Sequence, residues 1–75
     1  MKKTALEIKG ICIAGANVII NATDYSVLEL KSIVIAAKIA GTRLCIKHSS
    51  KLTTLDCKGI ANVGEKGTVT FDFVE

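Results

Sequence analysis

The only histidine, His48, lies three residues after Cys45, and two further cysteines stand at Cys12 and Cys57. Three thiols and one imidazole are the composition of a closed zinc site. The spacing does not support one. Residues 45 and 48 project to opposite faces of a shared strand, and Cys12 and Cys57 fall on the apolar stripe of two helices. The cysteines are therefore read as small buried hydrophobes and His48 as an exposed loop residue. No metal or other cofactor is expected. An odd number of cysteines with no CxxC spacing also argues against a disulfide framework, and for a reducing, cytoplasmic setting.

Nucleophilic catalysis needs a serine or cysteine beside a base. The local candidates are His48 with Ser49, Ser50 or Cys45, but paired serines between a strand and a helix serve as turn and cap residues. Gly64-Glu65-Lys66-Gly67 lacks both the length and the Gly-Lys-Ser/Thr ending of a phosphate-binding loop, and reads as a turn. The carboxylates Glu7, Glu29 and Asp56 have a structural use instead, described next. The chain is not expected to be an enzyme.

Each of those carboxylates stands three residues after a hydroxyl: Thr4 before Glu7, Ser26 before Glu29, Thr53 before Asp56. That spacing marks a capped helix start. Each unit continues with a lysine, a small residue and isoleucine: Lys9-Gly10-Ile11, Lys31-Ser32-Ile33 and Lys58-Gly59-Ile60. Three copies in register predict an internal repeat, with units at about 4–25, 26–52 and 53–75 of one domain. Helices are expected from Thr4 to Gly15, Ser26 to Gly41 and Thr53 to Gly64, each glycine acting as a C-terminal stop. The middle helix is longer by about one turn.

Counted from each cap, positions +4, +7, +8 and +11 form the stripe of a helix buried on one side. They are Ile8, Ile11, Cys12 and Gly15; then Leu30, Ile33, Val34 and Ala37; then Cys57, Ile60, Ala61 and Gly64. A short β-rich run follows each stop: Asn17-Val18-Ile19-Ile20-Asn21, Arg43-Leu44-Cys45-Ile46-Lys47 and Thr68-Val69-Thr70-Phe71-Asp72-Phe73. Val69, Phe71 and Phe73 share one face by period two. Connections of this length favour parallel strands and right-handed crossovers. The expected fold is therefore α/β: three helix–strand repeats, a short parallel sheet with helices on one face, a small solenoid. The alternative is an all-β solenoid, to which the alternation at Leu28-Glu29-Leu30-Lys31 lends support.

Leu44-x-Ile46-x-x-Ser49-x-x-Leu52 resembles the strand and turn of a leucine-rich repeat. Thr23 and Ser49 sit nearest the place of that family's turn asparagine. The resemblance implies helix–strand stacking and a surface that binds proteins, and it brings no functional residue with it.

Two surfaces remain to carry function. Positions +2, +6 and +9 make a second row, roughly opposite the buried stripe: Leu6, Gly10, Ile13; Leu28, Ser32, Ile35; Leu55, Gly59, Asn62. An outward apolar patch of this kind marks an interface, and small residues at +6 would admit another backbone. The open sheet face would show Asn17, Ile19 and Asn21, then Arg43, Cys45 and Lys47, then Thr68, Thr70 and Asp72, as a mixed polar binding surface. Three parallel strands also leave two unprotected edges. Together these predict a protein-interaction module that associates with itself, through its apolar helix faces or its open sheet edges. The alternative is an anion- or nucleic-acid-binding module using Arg43, Lys47 and the Lys9/Lys31/Lys58 row. A net charge of +3 spread along the chain is a weak attraction for nucleic acid, and no aromatic side chains interleave for base stacking. The start Met1-Lys2-Lys3 resembles a signal-peptide n-region, but Glu7 and Lys9 interrupt the apolar run that should follow. No membrane span is expected.

Overall fold

A computed structural model describes residues 2–74 of the chain. It contains three helices, α1 (Ala5–Ile13), α2 (Val27–Ala40) and α3 (Thr54–Asn62), alternating with strands β1 (Val18–Asn21), β2 (Leu44–Lys47) and β3 (Val69–Phe71). One-turn 3-10 helices at Ala22–Asp24 and Ser49–Lys51 lead from β1 and β2 toward the next helix. The all-β alternative does not form. Period 3.6 holds through Ser32–Ala37, and each helix start is fixed by hydrogen bonds that a β-coil has no use for.

Those starts are full capping boxes. Glu7 N–H donates to Thr4 Oγ1 at 3.2 Å, and Thr4 N–H donates to Glu7 Oε1 at 2.9 Å. Ser26 and Glu29 repeat the exchange at 3.2 and 2.8 Å, Thr53 and Asp56 at 3.0 and 3.4 Å. The Thr4 backbone N–H and hydroxyl, with Lys3 nearby, hold the Glu7 carboxyl below the ordinary carboxylate range.

The sheet is parallel, in the order β1-β2-β3. Its register sets Val18 beside Leu44 and Leu44 beside Val69, then Ile20 beside Ile46 and Ile46 beside Phe71. The three repeats are thus superposed with no slip. Ile20, Leu44 and Ile46 are buried, whereas Ile19 and Thr70 are exposed and Cys45 half-buried. The helices therefore cover one face and leave the other open, as the alternation requires.

The inner stripe is complete only in the middle. Leu30, Ile33, Val34 and Ala37 of α2 are all fully buried, because α2 lies between two neighbours. In α1 the stripe keeps Ile8 and Cys12 buried, with Ile11 half-buried and Gly15 exposed. In α3 only Ile60 is buried; Cys57 is half-buried and Ala61 exposed, since among the described residues no helix packs on that side of α3.

Three expectations need correction. Gly64 is not a left-handed stop: α3 ends on Val63 in right-handed conformation, whereas Gly41 has φ +73 and Gly15 φ +108. Gly64 is instead a point of close approach. A Cβ there would stand 2.9 Å from Val34 Cγ1 and 3.1 Å from Thr68 Cβ. Thr68 does not join the open sheet face. It is buried one residue before β3, where its hydroxyl accepts from Glu65 N–H at 3.0 Å and closes the turn. Phe73 lies beyond the end of β3 and is exposed, its ring stacked on Phe71 at 6.0 Å.

The glycines give a paired test of this packing. An added Cβ at Gly10 meets nothing within 4 Å, so Gly10→Ala is expected to stabilise by about 1 kcal/mol through helix propensity. Gly64→Ala is expected to destabilise by about 1–3 kcal/mol through overpacking against Val34 and Thr68. Urea unfolding of the two variants checks the opposite signs.

Candidate functional site

An apolar groove lies on the outer side of the helix layer. Leu6, Ile13, Leu28, Ile35 and Leu55, expected to point away from the sheet, are 74, 61, 78, 42 and 79 % exposed. Ile13 from α1 and Leu28, Ser32 and Ile35 from α2 converge on a groove of about 330 Å3 between the two helices. Leu6 and Leu55 lie outside it. The floor is Ala36, which is buried, and Lys9 forms one rim.

Ile39, 75 % exposed, also lines this groove and escaped the sequence pattern. It lies in the additional turn of α2, beyond the positions shared by all three repeats. The signal was present: 28, 32, 35 and 39 continue one helical row at spacings of four, three and four. The extra turn extends the apolar face of α2 alone.

The small residues at +6 have a different use from the one expected of them. A Cβ on Gly59 would stand 3.4 Å from both Cε and Nζ of Lys31, so the lysine stem lies across Gly59 of the next helix. Lys9 and Ser32, at the matching positions of α1 and α2, both line the groove. The lysine row therefore does not project freely. Lys9 and Lys31 are half-buried, as expected where a lysine side chain lies along a neighbouring surface. Of the three, Lys58 alone is exposed, with no following helix among the described residues.

On the open sheet face the expected polar residues are partly committed to the backbone. Asn17 Oδ1 accepts from Arg43 N–H at 2.8 Å, joining the starts of β1 and β2. Asp72 Oδ1 accepts from Val74 N–H at 2.9 Å, and the Asp72 backbone pairs with Ile46 and Ser49. Asn21 and Cys45 are half-buried, Lys47 exposed. Arg43 lies instead at the edge of a polar depression of about 190 Å3, with Lys38, Glu65 and Lys66. Beside it the Thr42 hydroxyl is buried without a hydrogen-bond partner among the described residues.

His48 is exposed with φ +57, a left-handed turn between β2 and the 3-10 helix. Ser49, near the turn position of the resemblance, is fully buried and its hydroxyl donates to Ile46 C=O at 2.6 Å. Among the described residues no group of three or more His, Cys, Asp or Glu side chains is placed to hold a metal ion. Burial pushes the Cys12 thiol up from its ordinary value, and burial with the adjacent Asp56 does the same to Cys57. A raised thiol pKa lowers the thiolate fraction at neutral pH, the opposite of what a nucleophile needs. Iodoacetamide is therefore expected to leave Cys12 unmodified in the folded chain and to label Cys57 slowly, faster as pH rises. Mass spectrometry with and without denaturant checks it.

No helix among the described residues is long and apolar enough to cross a membrane. No protein-family model, curated protein or solved structure matches the chain.

Proposed function

We propose that this chain is a non-enzymatic protein-interaction module, a solenoid of three helix–strand units that associates with itself through the outer face of its helices. The observation that carries this is the groove between α1 and α2, where Ile13, Leu28, Ile35 and Ile39 converge while remaining exposed. Holding four large aliphatic side chains in water is unfavourable by about 25 cal/mol per Å2 of apolar surface. Burying them against a second apolar face recovers that energy.

Area and rigidity are consistent with this. A stable interface takes about 800 Å2 from each partner, and the molecule measures 30 × 29 × 20 Å, so one broad face is large enough. The groove is built on helices rather than loops, which limits the ordering cost of association. Two copies facing each other about a two-fold axis would set the α2 row of each into the groove of the other. The leucine-rich-repeat resemblance, with its expectation of protein binding, supports the same conclusion, and three free thiols fit a reducing, cytoplasmic setting.

The test is solution mass by light scattering for wild type and Ile35→Glu, with circular dichroism as the folding control. Wild type should associate, and the variant should be folded and lose the face-to-face step. A second reading, anion binding, has the depression rimmed by Lys38, Arg43 and Lys66 in its favour. It predicts affinity for a polyanion that falls steeply with salt.

A further inference from the structure

The two ends of the helix layer carry opposite halves of the contact that already joins the helices inside the chain. Each helix has a trailing side, at +1, +5 and +8 from its cap, turned toward the next repeat. In α1 these are Ala5, Lys9 and Cys12, in α2 Val27, Lys31 and Val34, and all six are half-buried or buried. In α3 they are Thr54, Lys58 and Ala61, all exposed. The leading side, at +6 and +11, receives the neighbour. On α3 the Lys31 stem lies over Gly59, and Val34 approaches within 2.9 Å of a Cβ on Gly64. On α1 a Cβ on the matching Gly10 or Gly15 would meet nothing within 4 Å among the described residues.

The strand edges match in the same way. Val18 N–H donates to Arg43 C=O at 3.1 Å, and Leu44 N–H donates to Thr68 C=O at 2.8 Å. Continuing that register sets the Val69 N–H of one molecule opposite the Asn17 C=O of another. Charge agrees: the trailing end presents Lys58 and the leading end presents Glu7, both exposed.

We infer that the α3/β3 end of one copy stacks on the α1/β1 end of the next, continuing the helix layer and the sheet from molecule to molecule. Lys58 of the first copy then lies over Gly10 of the second, as Lys31 lies over Gly59 within one chain. The contact is heterologous, so it grows into an open array rather than stopping at a pair. Stacks of this kind stop growing where a polar capping repeat covers the end. This deepens the self-association reading and uses a different surface from the groove, so the two can fail separately.

Sedimentation over a concentration series tests it with four chains: wild type, Gly10→Arg, Ile35→Glu and the double variant. Gly10→Arg places a long side chain at a position where an added Cβ meets nothing within 4 Å, and circular dichroism checks that the variant folds. Wild-type mass should rise past the dimer without a plateau. Gly10→Arg should stop at a dimer, Ile35→Glu should still grow with concentration, and the double variant should be a folded monomer. Ala61→Arg, at the other end, should also stop growth. Mixing it with Gly10→Arg, both in the Ile35→Glu background, should give a dimer that neither forms alone. End-to-end stacking is overturned if Gly10→Arg grows like wild type, if wild type plateaus at the dimer, or if the mixture stays monomeric. Failure of the groove shows separately, as a Gly10→Arg chain that is monomeric or a dimer unaffected by Ile35→Glu.

Discussion

Ile35→Glu is expected to raise the dissociation constant of the face-to-face dimer by roughly a thousandfold while the chain stays folded. The site sets the direction. Ile35 is the least exposed of the large groove residues, at 42 %, and it sits between Leu28 and Ile39 where a partner must exclude water. A carboxylate there is either buried unpaired or keeps its water and holds the partner away. Truncating a well-packed anchor costs about 2 kcal/mol or more. In a two-fold contact the change enters twice, about 4 kcal/mol, or close to three decades. The cost to the fold is small by comparison. Part of Ile35 is already in water, and glutamate is at least as good a helix former as isoleucine. The helical circular dichroism signal should therefore persist. The variant is informative because its two effects differ so widely in size.

Leu44→Ala is expected to have the opposite profile, with a loss of folding stability of about 3–4 kcal/mol. Leu44 is fully buried at the start of the central strand, in register with Val18 on one side and Val69 on the other. The α2 stripe lies over the same face, so the cavity cannot be filled from either neighbouring strand without breaking register. Leucine-to-alanine changes at such sites cost about 2.7–5 kcal/mol. A chain of 75 residues has a total stability of about 4–11 kcal/mol at roughly 0.05–0.15 per residue. One truncation thus removes a large share of it, and the urea midpoint should fall accordingly. Ile19→Ala in β1 is the control. Ile19 is 69 % exposed on the open face, and its loss should move the midpoint little.

Local chemistry is what the amino-acid sequence states most plainly. Each cap reads within four residues, because a hydroxyl and a carboxylate three positions apart suffice to satisfy the first N–H groups. The repeat then fixes the order of elements, and period two fixes which side of β2 is buried. What escaped depends on neighbours far along the chain. Gly64 looks like a stop, but its role is set by Val34, thirty positions away, pressing against it. Thr68 has the polarity of a surface residue, yet the turn folds its hydroxyl onto Glu65 N–H. The lysines at +5 look like a free basic row until the neighbouring helix is placed beneath them. On the outer face, Leu6, Leu28, Ile35 and Leu55 were legible as a row. The groove itself was not, because it needs the separation of α1 from α2 and the additional turn that carries Ile39.

The most direct test of the outer helix face as an interface is light scattering on the end-blocked Gly10→Arg chain, with and without Ile35→Glu. The chain mass is 7.9 kDa. The expected result is a dimer of Gly10→Arg at twice that mass, converted by Ile35→Glu to a folded monomer. A Gly10→Arg chain that is already monomeric, or a dimer that Ile35→Glu leaves intact, would contradict the assignment of the groove as the contact surface.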